Sequence, residues 1–160
     1  MAASNWRTPL LLFVCLLLSP FASAQSPARS MESIRIESAV TEISSEQDRD
    51  KRTELTIGLA KSITEESRAT VDDQSIDAIA GLLKNEYRPV RFWATQSLAS
   101  LGPKAVRSLD GLRQALAVAK LEEVDILNKY GFLGNPLLSD TIQSALFRIG
   151  GFPATAYPAK

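Results

Sequence analysis

The stretch from Asn85 to Pro103 constrains the fold most, because it specifies a helix with both ends marked. Pro89 suits the first helical position, where the N–H it lacks would have no intrahelical partner anyway. Gly102 can take the left-handed conformation that closes a helix, and Pro103 prevents its continuation. Between them Val90, Ala94, Leu98 and Leu101 fall at i, i+4, i+8 and i+11, which is one helical face. One amphipathic helix buries nothing alone, so the rest of the chain is read as what packs on it.

Similar patterns lie on both sides. From Met31, Ile36, Val40 and Ile43 mark one helix, which Ser44 to Asp48 breaks. A second runs from Arg49 to Ile63 with Leu55, Leu59 and Ile63 inward, so residues 31–66 form a helix hairpin. The polar run from Thr64 reads as a linker. Asp73 then precedes Ile76, Ile79, Ala80, Leu82 and Leu83, a third helix that ends near Lys84. After Gly102-Pro103, Ala105, Leu109, Leu112, Leu116 and Val118 predict a helix from Lys104 to at least Ala119. A last helix is predicted from Pro136 to Ile149, with Leu138, Ile142, Ala145, Leu146 and Ile149 inward and Gly150-Gly151 as its stop. Residues 25–30 and 151–160 carry prolines and no period, and read as loose ends.

The first 24 residues have the three-part pattern of a secretory signal peptide. Arg7 lies in the n-region, Leu10 to Leu18 is apolar, and Ala22 and Ala24 occupy the small-residue positions before the cut. The apolar core is short for a membrane span, so the expectation is cleavage after Ala24, no insertion in a membrane afterwards, and a periplasmic or secreted protein. The chain has 18 basic and 18 acidic residues, and losing Arg7 leaves it near neutral. That balance gives no support for nucleic acid or an anionic membrane as partner. Cys15, the one cysteine, leaves with the signal, and there is no histidine. A Ser-His-Asp or Cys-His arrangement, the usual Cys/His zinc site and a histidine switch are therefore all excluded. The residues call for no cofactor and no metal.

Three helix hairpins in succession point to an internal repeat, which is the first thing to test in such a sequence. Leu101-Gly102 aligns with Ile149-Gly150, and Arg52 with Arg91 when Leu59-Ala60 is set on Leu98-Ala99. The segment Ile79 to Leu83, then Val90-Arg91, Ala94, Leu98 and Leu101-Gly102, resembles a HEAT repeat. The resemblance covers residues 73–150. It implies an all-α fold, a short α-solenoid of about three stacked antiparallel hairpins. It also implies a non-catalytic scaffold that binds another protein. Asn85 stands where the family pattern has an acid six residues before the arginine, and Ser139 stands where the last repeat should have its arginine. Asn85, Arg91 and Gly102 are the structural positions that the resemblance assigns.

Two surfaces qualify for the partner. If Val90 and Ala94 face inward, Phe92 points nearly opposite, and Phe92, Thr95 and Gln96 line the concave side; the competing reading packs Phe92 on the preceding hairpin. The last repeat also carries an insertion, Lys120 to Asn135, whose Tyr130, Phe132 and Leu133 sit between or beside glycines. Apolar residues on such a loop either cover the end of the core or enter a partner. The second choice suggests a small periplasmic inhibitor or immunity protein that blocks a toxic or lytic enzyme with residues 130–135. Arg91 and Arg52 either meet an acidic partner or bond Asn85 or a nearby carbonyl, as the family pattern implies. Glu122, Glu123, Asp125 and Asp140 are the carboxylates available to a different class of protein, an envelope hydrolase.

Overall fold

The computed structural model describes residues 29–131 and 136–151. Residues 1–28, the loop tip with Phe132 and Leu133, and the tail from Phe152 lie outside the described residues. The fold is all-α, with no strand among the described residues. Its helices are α1 (Met31–Ser45), α2 (Arg49–Ser62), the single turn α3 (Glu65–Arg68), α4 (Asp73–Gly81), α5 (Arg88–Leu101), α6 (Leu109–Tyr130) and α7 (Leu138–Gly150). Short 3₁₀ segments cover Leu82–Lys84 and Gly102–Ser108.

Helix α5 is the centre. Val90, Ala94, Leu98 and Leu101, the face expected inward, are fully buried. Helix α2 packs on one side of α5 and α7 on the other, while α4 and its 3₁₀ extension lie behind it. Helices α1 and α2 pack on each other, as do α4 and α5, and α6 and α7. Helix α1 packs in turn on α4, and α4 on the 3₁₀ segment that leads into α6. The second helices of the pairs, α2, α5 and α7, thus lie side by side with α5 in the middle. Gly102 ends α5 with φ 58° and ψ −141°, a conformation that only glycine adopts without strain.

Three segments differ from their predicted form. Arg29 and Ser30 are not loose. Ser30 caps α1 by accepting the Ser33 N–H and donates to the Thr70 carbonyl at 2.7 Å. Arg29 donates to Glu37 and, through Nε at 2.8 Å, to Asp72, which itself caps α4. Partners some forty residues away hold these two residues, and no local pattern announces them. The linker from Thr64 contains α3, closed by a reciprocal Thr64–Ser67 capping box, and Val71 is buried beneath it.

The third difference is the longest helix. Helix α6 starts late, at Leu109, and then runs through most of the insertion to Tyr130. Leu109, Leu112, Ala115, Val118, Leu121, Val124, Leu127 and Tyr130 follow one another every third residue. Three residues of α-helix fall about 60° short of a turn, so this apolar line winds around the helix. It starts in the core at Leu112 and emerges at Val118, which was expected inward and is exposed instead.

Candidate functional site

The solvent edge of α5 carries the first candidate surface. Phe92, Trp93, Gln96 and Ser100 are half-buried along it, while Arg91, Ala94, Thr95, Leu98 and Ala99 are buried. Phe92 and Trp93 meet edge to face, with ring centroids 5.2 Å apart and planes at 85°. Phe92 also touches the core cluster, so it is an anchored aromatic and not a free one. Thr95 does not belong to this surface. It is fully buried, and its hydroxyl donates to the Arg91 carbonyl at 2.8 Å. With neighbours on both flanks, α5 turns its small polar residues inward and bonds them to its own backbone; Ser97 does the same to the Trp93 carbonyl.

At the start of α5 two arginines meet two acids of the insertion. The Arg91 guanidinium is buried and donates to the carbonyls of Asn85 at 2.9 Å and Glu86 at 3.1 Å, and to Glu122. Asn85 therefore binds Arg91 by its main chain, and its side-chain oxygen takes the Tyr87 N–H at 2.8 Å. The acid missing at position 85 comes from α6. Arg88 donates at 2.9 Å to Glu123, a buried carboxylate that also accepts the Ser139 N–H at 3.1 Å. Helix α7 has Leu137 at its cap position and no side-chain cap there, so Glu123 fills that role from the neighbouring helix. Of the four acids nominated for hydrolysis, Glu122 and Glu123 are thus joined to arginines, while Asp125 and Asp140 are exposed. Among the described residues no cluster of His, Cys, Asp or Glu is arranged to hold a metal.

The arginine clasp occurs twice. Arg52 donates from its guanidinium to the Glu46 carbonyl, six residues earlier, as Arg91 does to Asn85. The side chain at the earlier position closes the turn in both cases. The Glu46 carboxylate accepts the N–H groups of Gln47 and Asp48, at 2.8 and 3.0 Å, and Asn85 accepts that of Tyr87. Both arginines are therefore engaged within the fold.

The insertion supplies the second surface. Helix α6 ends at Gly131 in the left-handed conformation. Tyr130, beneath the Lys129 ammonium at 5.1 Å, is 58% exposed. Phe132 and Leu133, which follow it, lie outside the described residues. Lower on α6 a cleft of about 360 Å³ opens toward the end of α4, with Ala80, Leu83, Gly111, Ala115 and Val118 on its walls and Arg91 among its lining. No helix among the described residues is long and apolar enough to cross a membrane. No protein-family model, no curated protein and no solved structure matches the chain.

Proposed function

We propose that this chain is an exported, non-catalytic scaffold of HEAT-like hairpins that binds another protein along the solvent edge of α5. The observation that carries the reading is the Phe92–Trp93 pair, edge to face and half-exposed on the central helix, with Gln96 one turn further on. Well-packed aromatic residues are among the groups that dominate protein interfaces, at about 2 kcal/mol or more each. The repeat part of the reading rests on the arginine clasp made once by Arg52 and once by Arg91. Export rests on the leader pattern of residues 1–24. The non-catalytic part is supported by the arginine partners of Glu122 and Glu123.

The test compares capture of a partner from cell envelope by the wild-type protein and by Gln96→Arg and Phe92→Leu variants of unchanged melting temperature. The reading expects one partner lost from both variants. A second reading, an inhibitor or immunity protein acting through residues 130–135, is favoured by the exposed Tyr130 at the end of α6. It expects the partner to survive Gln96→Arg and to be lost with Tyr130→Ala. A partner indifferent to all three changes contradicts both.

A further inference from the structure

The cleft between α6 and the end of α4 is apolar along its length and charged at one end. Gly111, Ala115, Val118 and Glu122 fall at i, i+4, i+7 and i+11 of α6, which is one face of the helix. The first three line the cleft, with Ala80 and Leu83 at the end of α4 as its other wall. Glu122 stands about one turn beyond Val118 and is joined to Arg91, so this pair closes the upper end. The apolar lining is aliphatic, with no aromatic ring in it. At about 360 Å³ the space lies at the lower end of the range of small-molecule sites.

The donors at the charged end are not all used. Arg91 commits Nη1 to the Asn85 and Glu86 carbonyls and Nη2 to Glu122, while Nε has no partner among the described residues. Lys84, also in the lining, makes no ion pair among the described residues. A donor left open beside an apolar cleft is met by water or by an acceptor on a ligand. We propose that the cleft binds a small aliphatic monocarboxylate. Its chain lies between Ala80, Leu83, Ala115 and Val118, and its carboxylate accepts from Arg91 Nε and from Lys84. Charge agrees with a monoanion as the occupant. Lys84 and Arg91 against the exposed Glu86 leave the lining one positive charge in excess. Glu122 lies outside the lining and holds the guanidinium in place. The cleft uses none of Phe92, Trp93 and Gln96, so this site and the partner-binding reading stand or fall separately.

The test is isothermal titration calorimetry of the purified protein with octanoate, and with octanol as the same chain without the charge. Gly111→Leu fills the cleft; a Cβ at Gly111 meets only Leu83 Cδ1, at an ordinary 3.7 Å, so the fold accepts it. Nitrogen–proton NMR of the wild-type protein follows the Arg91 Nε–H resonance, assigned by its loss in Arg91→Lys. The expected result is one octanoate per chain with a Kd below about 1 mM. Affinity falls at least about tenfold for octanol, and about tenfold for octanoate in a Gly111→Leu variant that thermal melts show to be folded. The Arg91 Nε–H resonance moves as octanoate saturates. A wild-type protein that does not bind octanoate, octanol bound as tightly, octanoate bound unchanged by Gly111→Leu, or an Nε–H resonance that stays still overturns the proposal.

Discussion

Replacing Glu123 with alanine removes the cap of α7. The side chain is 6% exposed, and one of its oxygens serves both Arg88 and the Ser139 N–H. Truncation strands a buried N–H, at about 1–3 kcal/mol. It also removes a negative charge from a helix N-terminus, a contribution of up to about 2 kcal/mol in partly buried geometry. Arg88 is partly exposed and turns to water, so its own loss is small. The two larger effects act through the same carboxylate and do not add, which leaves about 2–3 kcal/mol. At about 4 °C per kcal/mol for a domain of this size, the melting midpoint falls by about 8–12 °C. Glu123→Gln keeps a neutral acceptor for Ser139 and costs about 1 kcal/mol. Asp125→Ala, two residues along α6 and exposed, stays within about 0.5 kcal/mol of wild type. Thermal unfolding followed by circular dichroism measures all three. A Glu123→Ala midpoint within about 2 °C of wild type refutes the capping role, and so does a glutamine variant as unstable as the alanine one.

Other outcomes follow from the same geometry. Arg91→Lys and Arg52→Lys each lose the planar fork that reaches the turn carbonyl, and each lowers stability by about 1–3 kcal/mol in denaturant titrations; a silent change at either position breaks the equivalence of the two clasps. Gly102→Ala costs about 1–3 kcal/mol, because φ is 58° there, and a neutral result excludes that backbone conformation. Acid weakens the fold from the carboxylate side. Arg29 above all, then the Ser75 N–H, holds the Asp72 carboxyl well below the usual carboxylate range. Lys51, then the Asp48 N–H, lowers that of Glu46 to about 2. A carboxyl whose folded pKa is depressed contributes stability above its unfolded value of about 4, and loses it as pH falls toward the folded one. Melting midpoints therefore drop between pH 4 and 2, and less steeply in Arg29→Ala; equal slopes for the two proteins exclude the Arg29–Asp72 contribution. N-terminal sequencing of the exported protein is expected to start at Gln25, and an intact Met1 contradicts the leader reading.

The helical core was legible in the sequence because its signals are local. Pro89 fixes its own φ in the first turn of α5, one residue later than expected, and Gly102 permits the positive φ at which α5 ends. The inward faces of α5 and α7 followed from spacing alone, and Ile142, Ala145 and Ile149 are buried as that spacing demands. What stayed hidden depends on residues far apart in the chain. Nothing near Arg29 announces Asp72, and nothing near Asn85 announces that Glu122 supplies the missing acid. Thr95 was placed on the surface by its angle on the helix. It is buried because α5 has neighbours on both flanks, which one helix's periodicity does not reveal. The outward turn of α6 was readable in principle. Its strict every-third spacing, so unlike the 3–4 alternation of a single buried face, marks an apolar line that leaves the core.

The proposal that α5 binds a partner along its solvent edge is tested most directly by photo-crosslinking in the cell envelope. A photoreactive phenylalanine analogue is placed in turn at Gln96, at Tyr130 and at the exposed Asp110, and the covalent products are compared. Binding along the Phe92–Gln96 edge predicts one discrete adduct from position 96 and none from 110. An adduct from position 130 alone transfers the function to the end of α6. Position 96 without any adduct, in a protein that is exported and folded, contradicts the account.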